Sequence, residues 1–122
     1  MNKLDLGWVI GFLEGEGSFI CRQVRPRYTT ARECNIQATG TDRDTMEHLH
    51  LLIGGQLRGP YKWSKKPNAK PLFRWTLAKR KDVFDLLTLI KLHMSARRQT
   101  KIQIMLDYIK SRPIGKWERK AG

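Results

Sequence analysis

Apolar and polar residues recur along the chain with two different spacings, one typical of helices and the other of strands. Met46, Leu49 and Ile53 are three or four residues apart, which places them on one face of a helix. Phe73 and Trp75 alternate with polar residues, as in a strand with one buried face. The pattern predicts helices over about 5–15, 42–53, 81–92 and 96–110, and strands over about 18–24, 33–39, 56–64 and 72–77.

The predicted order of elements is α-β-β-α-β-β-α followed by a further C-terminal helix, which is an α+β fold in one domain spanning residues 1–122, with 113–122 as a mobile basic tail. Asp5 is the predicted N-cap of the first helix. Four antiparallel strands with helices on one face leave the other face uncovered, and we call this side of the sheet the free face. Alternation predicts that Asn35 points to the free face, and that Tyr61 and the two tryptophans Trp63 and Trp75 point to the core.

The first helix has two features that an ordinary core helix does not need. Gly7, Gly11 and Gly15 are four residues apart and share one face, although glycine costs up to about 1 kcal/mol relative to alanine in a helix. Glu14 and Glu16 lie at its C-terminal end, where carboxylates oppose the helix dipole. These features together indicate a close helix–helix contact, such as a dimer interface, that carries a metal site.

The composition indicates a polyanionic partner. The 122 residues include 24 Lys+Arg against 11 Asp+Glu, for a net charge of +13. No apolar run is long enough for a membrane span and no secretory leader is recognisable, so we expect an intracellular protein, cytoplasmic or organellar, that binds nucleic acid rather than a membrane. Cys21 and Cys34 lack the spacing of metal ligands and are expected to be reduced core thiols, although they could also face one another across adjacent strands.

Residues 8–19, WVIGFLEGEGSF, resemble the signature of the LAGLIDADG homing endonucleases. The residues that carry the resemblance are Gly11, Phe12, Leu13, the acids Glu14 and Glu16, Gly17, Ser18 and Phe19. The sequence departs from the signature at Val9, Ile10 and in having glutamate for both aspartates. The motif occurs once, and the similarity in size and element order covers nearly the whole chain. The resemblance therefore implies a DNA phosphodiester hydrolase of the single-motif type, typically encoded in an intron or intein. Such an enzyme is a homodimer that makes a Mg²⁺-dependent double-strand break in a long, nearly palindromic site.

The resemblance also implies roles for particular residues. Glu16 matches the metal-binding acid, with the carbonyl of Gly15 as a further ligand, and Glu14 matches an acid that mainly supports the helix contact. The position of the family's catalytic lysine falls on or beside Ala96. Arg97 next to it can stabilise a phosphate but cannot act as a base. Gly40 stands near the family's water-positioning residue, a role that would pass to Thr39, to Thr41 or to ordered water.

Side chains predicted on the free face and in its loops can contact DNA. Arginine and glutamine can bond guanine and adenine in the major groove, and basic loops can contact phosphates. The predicted DNA-binding residues are Arg22, Gln37, Arg58, Lys62 and Arg74 on the strands and Arg25, Arg27 and Lys66 in the loops. An RNA maturase, which would bind its host intron RNA, and a non-cleaving DNA-binding regulator remain alternatives on the same scaffold. A small basic ribonucleoprotein component is a third, but it has no use for the glycine stripe.

Overall fold

A four-stranded antiparallel sheet forms the centre of the computed structural model, which describes residues 1–25, 27–28, 31–62 and 65–112. The elements are α1 (Lys3–Glu16), β1 (Gly17–Gln23), β2 (Arg32–Gly40), α2 (Arg43–Ile53), β3 (Gln56–Tyr61), β4 (Leu72–Leu77), α3 (Arg80–Ile90), a 3-10 turn (Lys91–His93) and α4 (Ala96–Ser111). The predicted α+β class and element order are confirmed. The tail 113–122 and Trp63 lie outside the described residues.

The strands are ordered β1-β2-β4-β3, so β2 and β4 lie in the middle of the sheet. Ile36 of β2 is paired with Leu77 of β4, and both are at most 2% exposed. The central strands thus contribute alternate residues to the core, as the period of two predicts.

The helices cover the core face of the sheet. α1 contributes Val9 and Leu13 to the core, and α4 contributes Ile102 and Met105. Trp75 is fully buried, and its indole N–H donates to the carbonyl of Gly54 at 2.7 Å, which confirms its predicted core position. Trp75 is therefore not available as a platform for base stacking.

The capping residue of α1 differs from the prediction. Asn2 caps the helix, and its Oδ1 accepts a hydrogen bond of 2.8 Å from the backbone N–H of Asp5. Asp5 instead lies inside the first turn, where its charge is favourable for the helix dipole. The prediction was wrong by one turn because both residues are good caps and the sequence does not rank them. Of the two residues that could cap α2, Thr41 and Asp42, the cap is Asp42, with its Oδ1 accepting from the N–H of Asp44 at 3.1 Å.

A bulge in β3 reverses which face its later residues occupy. Arg58 is paired with Arg74 and Tyr61 with Leu72, so β3 advances by one residue more than β4 between the two pairs. Tyr61 consequently lies on the free face beside Arg74, whose guanidinium carbon is 5.9 Å from the ring centroid. The prediction of a core position for Tyr61 was wrong, because alternation counted from Arg58 misses an inserted residue. Lys62 was predicted on the free face of a strand over 56–64, but β3 ends at Tyr61, so Lys62 follows the strand and is exposed.

Candidate functional site

The helix α1 passes directly into β1, and this junction presents Glu16. A side chain at Gly17 would bring its Cβ within 2.6 Å of the carbonyl oxygen of Leu13, so glycine is needed where the strand leaves the helix. Glu16 is the last residue of α1 and is exposed. Its carboxylate forms no hydrogen bond or ion pair with the described part of the chain, and it is therefore available to a ligand.

Glu14, two residues earlier, is held by the start of α4. Its carboxylate accepts from the backbone N–H of Ser95 at 2.6 Å and from the Ser95 hydroxyl at 3.3 Å, and lies 2.5 Å from the Nε of Arg98. Partial burial raises the pKa of Glu14, but the hydrogen bonds from Ser95 and the charge of Arg98 outweigh it, and the net pKa lies below its usual value. The two acids of the motif therefore differ chemically, because Glu14 anchors α1 to α4 and Glu16 is uncommitted.

Arg98 makes further contacts at the same junction. Its Nη1 donates to the carbonyl of Gly17 at 2.8 Å, and its guanidinium carbon lies 5.4 Å from the ring centroid of Phe19. The side chain is only 16% exposed. Arg97, which the sequence singled out, is exposed on the first turn of α4 and forms no hydrogen bond or ion pair with the described residues.

The sequence patterns did not predict the contacts of Arg98 and Ser95 with Glu14. The available signal was the pair of adjacent arginines at a helix start, since neighbouring residues on a helix point in different directions and can have different environments. Their partner Glu14 lies 81 residues before Ser95, which no local pattern indicates.

The glycine stripe forms a bare surface on α1. Gly7, Gly11 and Gly15 are exposed, and a Cβ added at any of them would meet no heavy atom within 4 Å. Leu4, which is 85% exposed, falls in the same stripe by helical spacing. The buried residue Val9 lies on the opposite face, so α1 presents an uncovered apolar surface with room for another backbone.

Glu16 is the candidate metal ligand within the chain. The described residues contain no group of three or more His, Cys, Asp or Glu side chains that could hold a metal ion. One exposed carboxylate with the carbonyl of Gly15 beside it suits Mg²⁺, which often binds one or two carboxylates, retains waters and takes substrate phosphates as ligands. It does not suit Zn²⁺, which needs three or four protein ligands.

Cross-strand pairing places the polar side chains of the free face in rows. One row contains Ser18, Gln37, Thr76 and Gln56, which are partners across all four strands. A second row contains Thr39, Arg74 and Arg58, and a third pairs Arg22 with Glu33. Arg22, Gln37, Arg58 and Arg74 thus lie on the predicted face, whereas Arg25, Arg27 and Lys66 are exposed in loops.

Asn35 departs from the predicted exposure. It was expected to point outward to solvent but is only 2% exposed. The pairing of β2 with β4 ends at Ile36 and Leu77, and the chain that follows β4 lines a cleft with Asn35, including Arg80. The prediction failed because alternation assigns a face but does not show what lies next to it.

The two cysteines are direct partners on β1 and β2. Both are free thiols, and the Sγ of Cys34 donates to the Sγ of Cys21 at 3.1 Å. Burial, and the hydrogen bond with Cys21, raise the pKa of Cys34 to about 12. The two side chains therefore face each other across adjacent strands and pack with the core, and the Cys34 thiol stays protonated.

No protein-family model matches the chain, and no curated protein matches its sequence. Solved structures do match. The homing endonuclease I-CvuI, in complex with its target in the presence of calcium, is 17% identical and matches 88% of this chain with a TM-score of 0.67. The group I intron-encoded homing endonuclease I-CeuI, complexed with DNA, is 13% identical and matches 89% of this chain with a TM-score of 0.66. The archaeal intron-encoded homing endonuclease I-Vdi141I, complexed with DNA, is 15% identical over 88% of this chain with a TM-score of 0.66.

The chain has the homing endonuclease fold. The resemblance to the LAGLIDADG homing endonucleases is thus confirmed at the level of the fold. The chain spans 66% of the length of I-CvuI, 55% of I-CeuI and 67% of I-Vdi141I. Of its described helices, none is long and apolar enough to cross a membrane.

Proposed function

We propose that this protein is a site-specific DNA endonuclease that makes a divalent-metal-dependent double-strand break as a homodimer. The observation that carries the proposal is the exposed, uncommitted carboxylate of Glu16 at the point where α1 enters the polar, basic sheet. The solved structures of this fold named above are homing endonucleases in complex with DNA.

Glu16 and the carbonyl of Gly15 would hold Mg²⁺. The bound ion would supply Lewis-acid stabilisation of the phosphate and a more acidic attacking water. The contacts of Glu14 with Ser95 and Arg98 fasten the last turn of α1, which keeps Glu16 in place relative to the sheet. Arg97 is exposed near the same end of the molecule and would stabilise the charge of the scissile phosphate, while Thr39 or Thr41 would orient the attacking water.

Two chains would be needed to cut both strands, since each supplies one uncommitted motif acid. The bare stripe of Gly7, Gly11 and Gly15 supports a contact between two copies of α1. A symmetric pair of helices packed through this stripe would bring the two Glu16 side chains to the same side of the interface. Two identical halves would recognise inverted half-sites, so the DNA site would be long and nearly palindromic.

The free face supplies the DNA surface in this proposal. The net charge of +13 favours a polyanion, and Arg22, Gln37, Arg58 and Arg74 carry the groups that recognise base edges. Lys62, Arg25, Arg27 and Lys66 would contact phosphates or bases at its margins. A maturase or a non-cleaving regulator would also use a basic surface, but it would have no need for the free carboxylate of Glu16.

Digestion of a randomised-site DNA library with Mg²⁺, followed by sequencing of the new ends, tests the proposal. The wild type should produce double-strand ends at related sites. Glu16→Gln should abolish cleavage while leaving DNA affinity within about tenfold, or 1.4 kcal/mol. Glu47→Gln, which removes an exposed acid on α2, is the matched control and should cut normally. Normal cutting by Glu16→Gln would refute the metal assignment, and selective binding of intron RNA without DNA cleavage would favour the maturase alternative.

A further inference from the structure

We propose that Arg22 is a pre-oriented reader of guanine, held in position by Glu33 and Asn35. The inference rests on the DNA binding proposed above and assigns one base preference to one place on the free face. Glu33 and Asn35 are positioning residues in this proposal, and Arg22 is the group that contacts the base.

A chain of hydrogen bonds connects the three side chains. Asn35 is nearly fully buried, and its Nδ2 donates to the Oε1 of Glu33 at 2.8 Å. The other carboxylate oxygen of Glu33, Oε2, accepts from the Nε of Arg22 at 3.1 Å. The side chains of Arg22 and Glu33 are 67% and 39% exposed, so exposure rises from the fixed amide to the accessible guanidinium.

The way in which Arg22 is held leaves one edge of the guanidinium available. Glu33 occupies Nε, and neither terminal nitrogen, Nη1 or Nη2, has a partner among the described residues. These two nitrogens can donate to O6 and N7 of guanine in the bidentate geometry that arginine uses in the major groove. Arg58 is held differently, because its Nη2 already donates to Gln56 at 2.9 Å.

The position of Glu33 is otherwise difficult to explain on a surface that binds DNA. An unpaired carboxylate would repel the DNA phosphates. Its pairing with an arginine lowers this repulsion and also orders the arginine side chain. An arginine that is ordered before binding loses less side-chain freedom when it contacts a base. The pair therefore favours selectivity at one base over general affinity.

The length of β1 limits how far from Glu16 the guanine would lie. Arg22 is five residues along β1 from Gly17, which is roughly 17 Å at about 3.3 Å per residue. DNA rises about 3.4 Å per base pair, so this distance corresponds to about five base pairs. For a strand that runs along the groove, the guanine would therefore lie about five base pairs outward from the phosphate next to Glu16 in each half-site.

Selection of bound duplexes from a randomised DNA pool tests the inference separately from cleavage. We would carry out the selection in the Glu16→Gln background, so that bound DNA is not cut. The parent protein should enrich guanine at the position contacted by Arg22 in each half-site, in addition to the preferences that Arg58 and Arg74 produce elsewhere. Arg22→Lys should lower that preference by about tenfold or more while other positions keep theirs, because lysine lacks the two-pronged donor.

Glu33→Gln tests the positioning role. It should lower the same guanine preference while total DNA affinity stays equal or rises, since a negative charge has been removed from the surface. Loss of a merely structural contact would instead weaken binding to all sequences. Asn35→Ser, with its fold verified by thermal melting, should lower the preference by a smaller factor, and Glu47→Gln should leave the profile unchanged.

Several outcomes would overturn the inference. The first is that Arg22→Lys keeps the guanine preference. The second is that Glu33→Gln keeps it. The third is that Glu33→Gln loses the guanine preference while Arg22→Lys keeps it. The last would mean that Glu33 itself accepts a hydrogen bond from cytosine. Guanine enrichment by a protein whose wild type does not cut DNA would support the inference and refute only the endonuclease proposal. Failure to enrich any DNA would refute both.

Discussion

Replacement of Gly11 by leucine should have opposite effects on the single chain and on the dimer. Within the chain, a side chain at Gly11 meets no heavy atom within 4 Å, so the monomer has room for it. Leucine is a better helix former than glycine by about 0.8 kcal/mol. The monomer of Gly11→Leu should therefore be more stable than the wild-type monomer by about that amount.

The dimer should be weakened, because Gly11 lies in the middle of the stripe where two copies of α1 would be closest. Overpacking a tight contact typically costs about 1–3 kcal/mol per site. In a symmetric dimer the substitution occurs twice, for a total of about 2–6 kcal/mol. This energy corresponds to a loss in association constant of about 30-fold to about 20,000-fold.

Sedimentation equilibrium over a concentration series would measure the association constant. Urea unfolding at concentrations where each variant is monomeric would measure the stability of the chain. Glu47→Leu is the matched control for an added exposed leucine, since Glu47 is exposed and belongs to α2 rather than to the glycine stripe of α1. It should leave the dimer intact.

A Gly11→Leu protein with the wild-type association constant and full double-strand cleavage would refute the interface through α1. A monomer less stable than the wild-type monomer would contradict the open space at Gly11. A weakened dimer with a stabilised monomer is the result expected from the proposed interface through α1.

Three further predictions concern the DNA surface, the acid pair and the thiols. Arg74→Ala should relax the preference at one base pair by about 1–3 kcal/mol, whereas Lys66→Ala should weaken binding to all sequences alike and lower its salt dependence; a uniform loss for Arg74→Ala would contradict its placement. The pKa of Glu14 is lowered because burial, which raises it, is outweighed by its hydrogen bonds and by Arg98. The Glu14 carboxylate therefore adds to the free energy of unfolding above the pKa that it has in the unfolded chain. This contribution is lost as the pH falls through its pKa in the folded protein. The wild type should lose stability more steeply than Glu14→Gln below about pH 4.5, as measured by urea midpoints, and parallel curves would refute this. Burial raises the pKa of Cys34 to about 12, so alkylation of Cys34 in the folded protein at pH 8 should be on the order of a thousandfold slower than that of a free cysteine. Rapid labelling would show that the thiol is not protected.

Local patterns were sufficient where the physical cause is local. The strand predicted over 72–77 is observed as Leu72–Leu77, because strict alternation of buried and exposed residues has a period of two only in a strand. The end of α2 at Gly54 was also predictable, since its φ of 83° is a conformation that glycine adopts readily. The bulge between Arg58 and Tyr61 was missed, although Gly59 and Pro60 within the strand are residues that often mark a bulge.

The sequence by itself determined the fold class, the element order and the motif with its two acids and its glycine stripe. These depend on helix and strand periods and on residue type, which are properties of short segments. Only the tertiary structure decided that Glu14 is bound by Ser95 and Arg98 while Glu16 has no partner among the described residues, and that Asn35 is buried and donates to Glu33. Contacts of this kind join segments that are distant along the chain, and they form only once the helices have packed on the sheet.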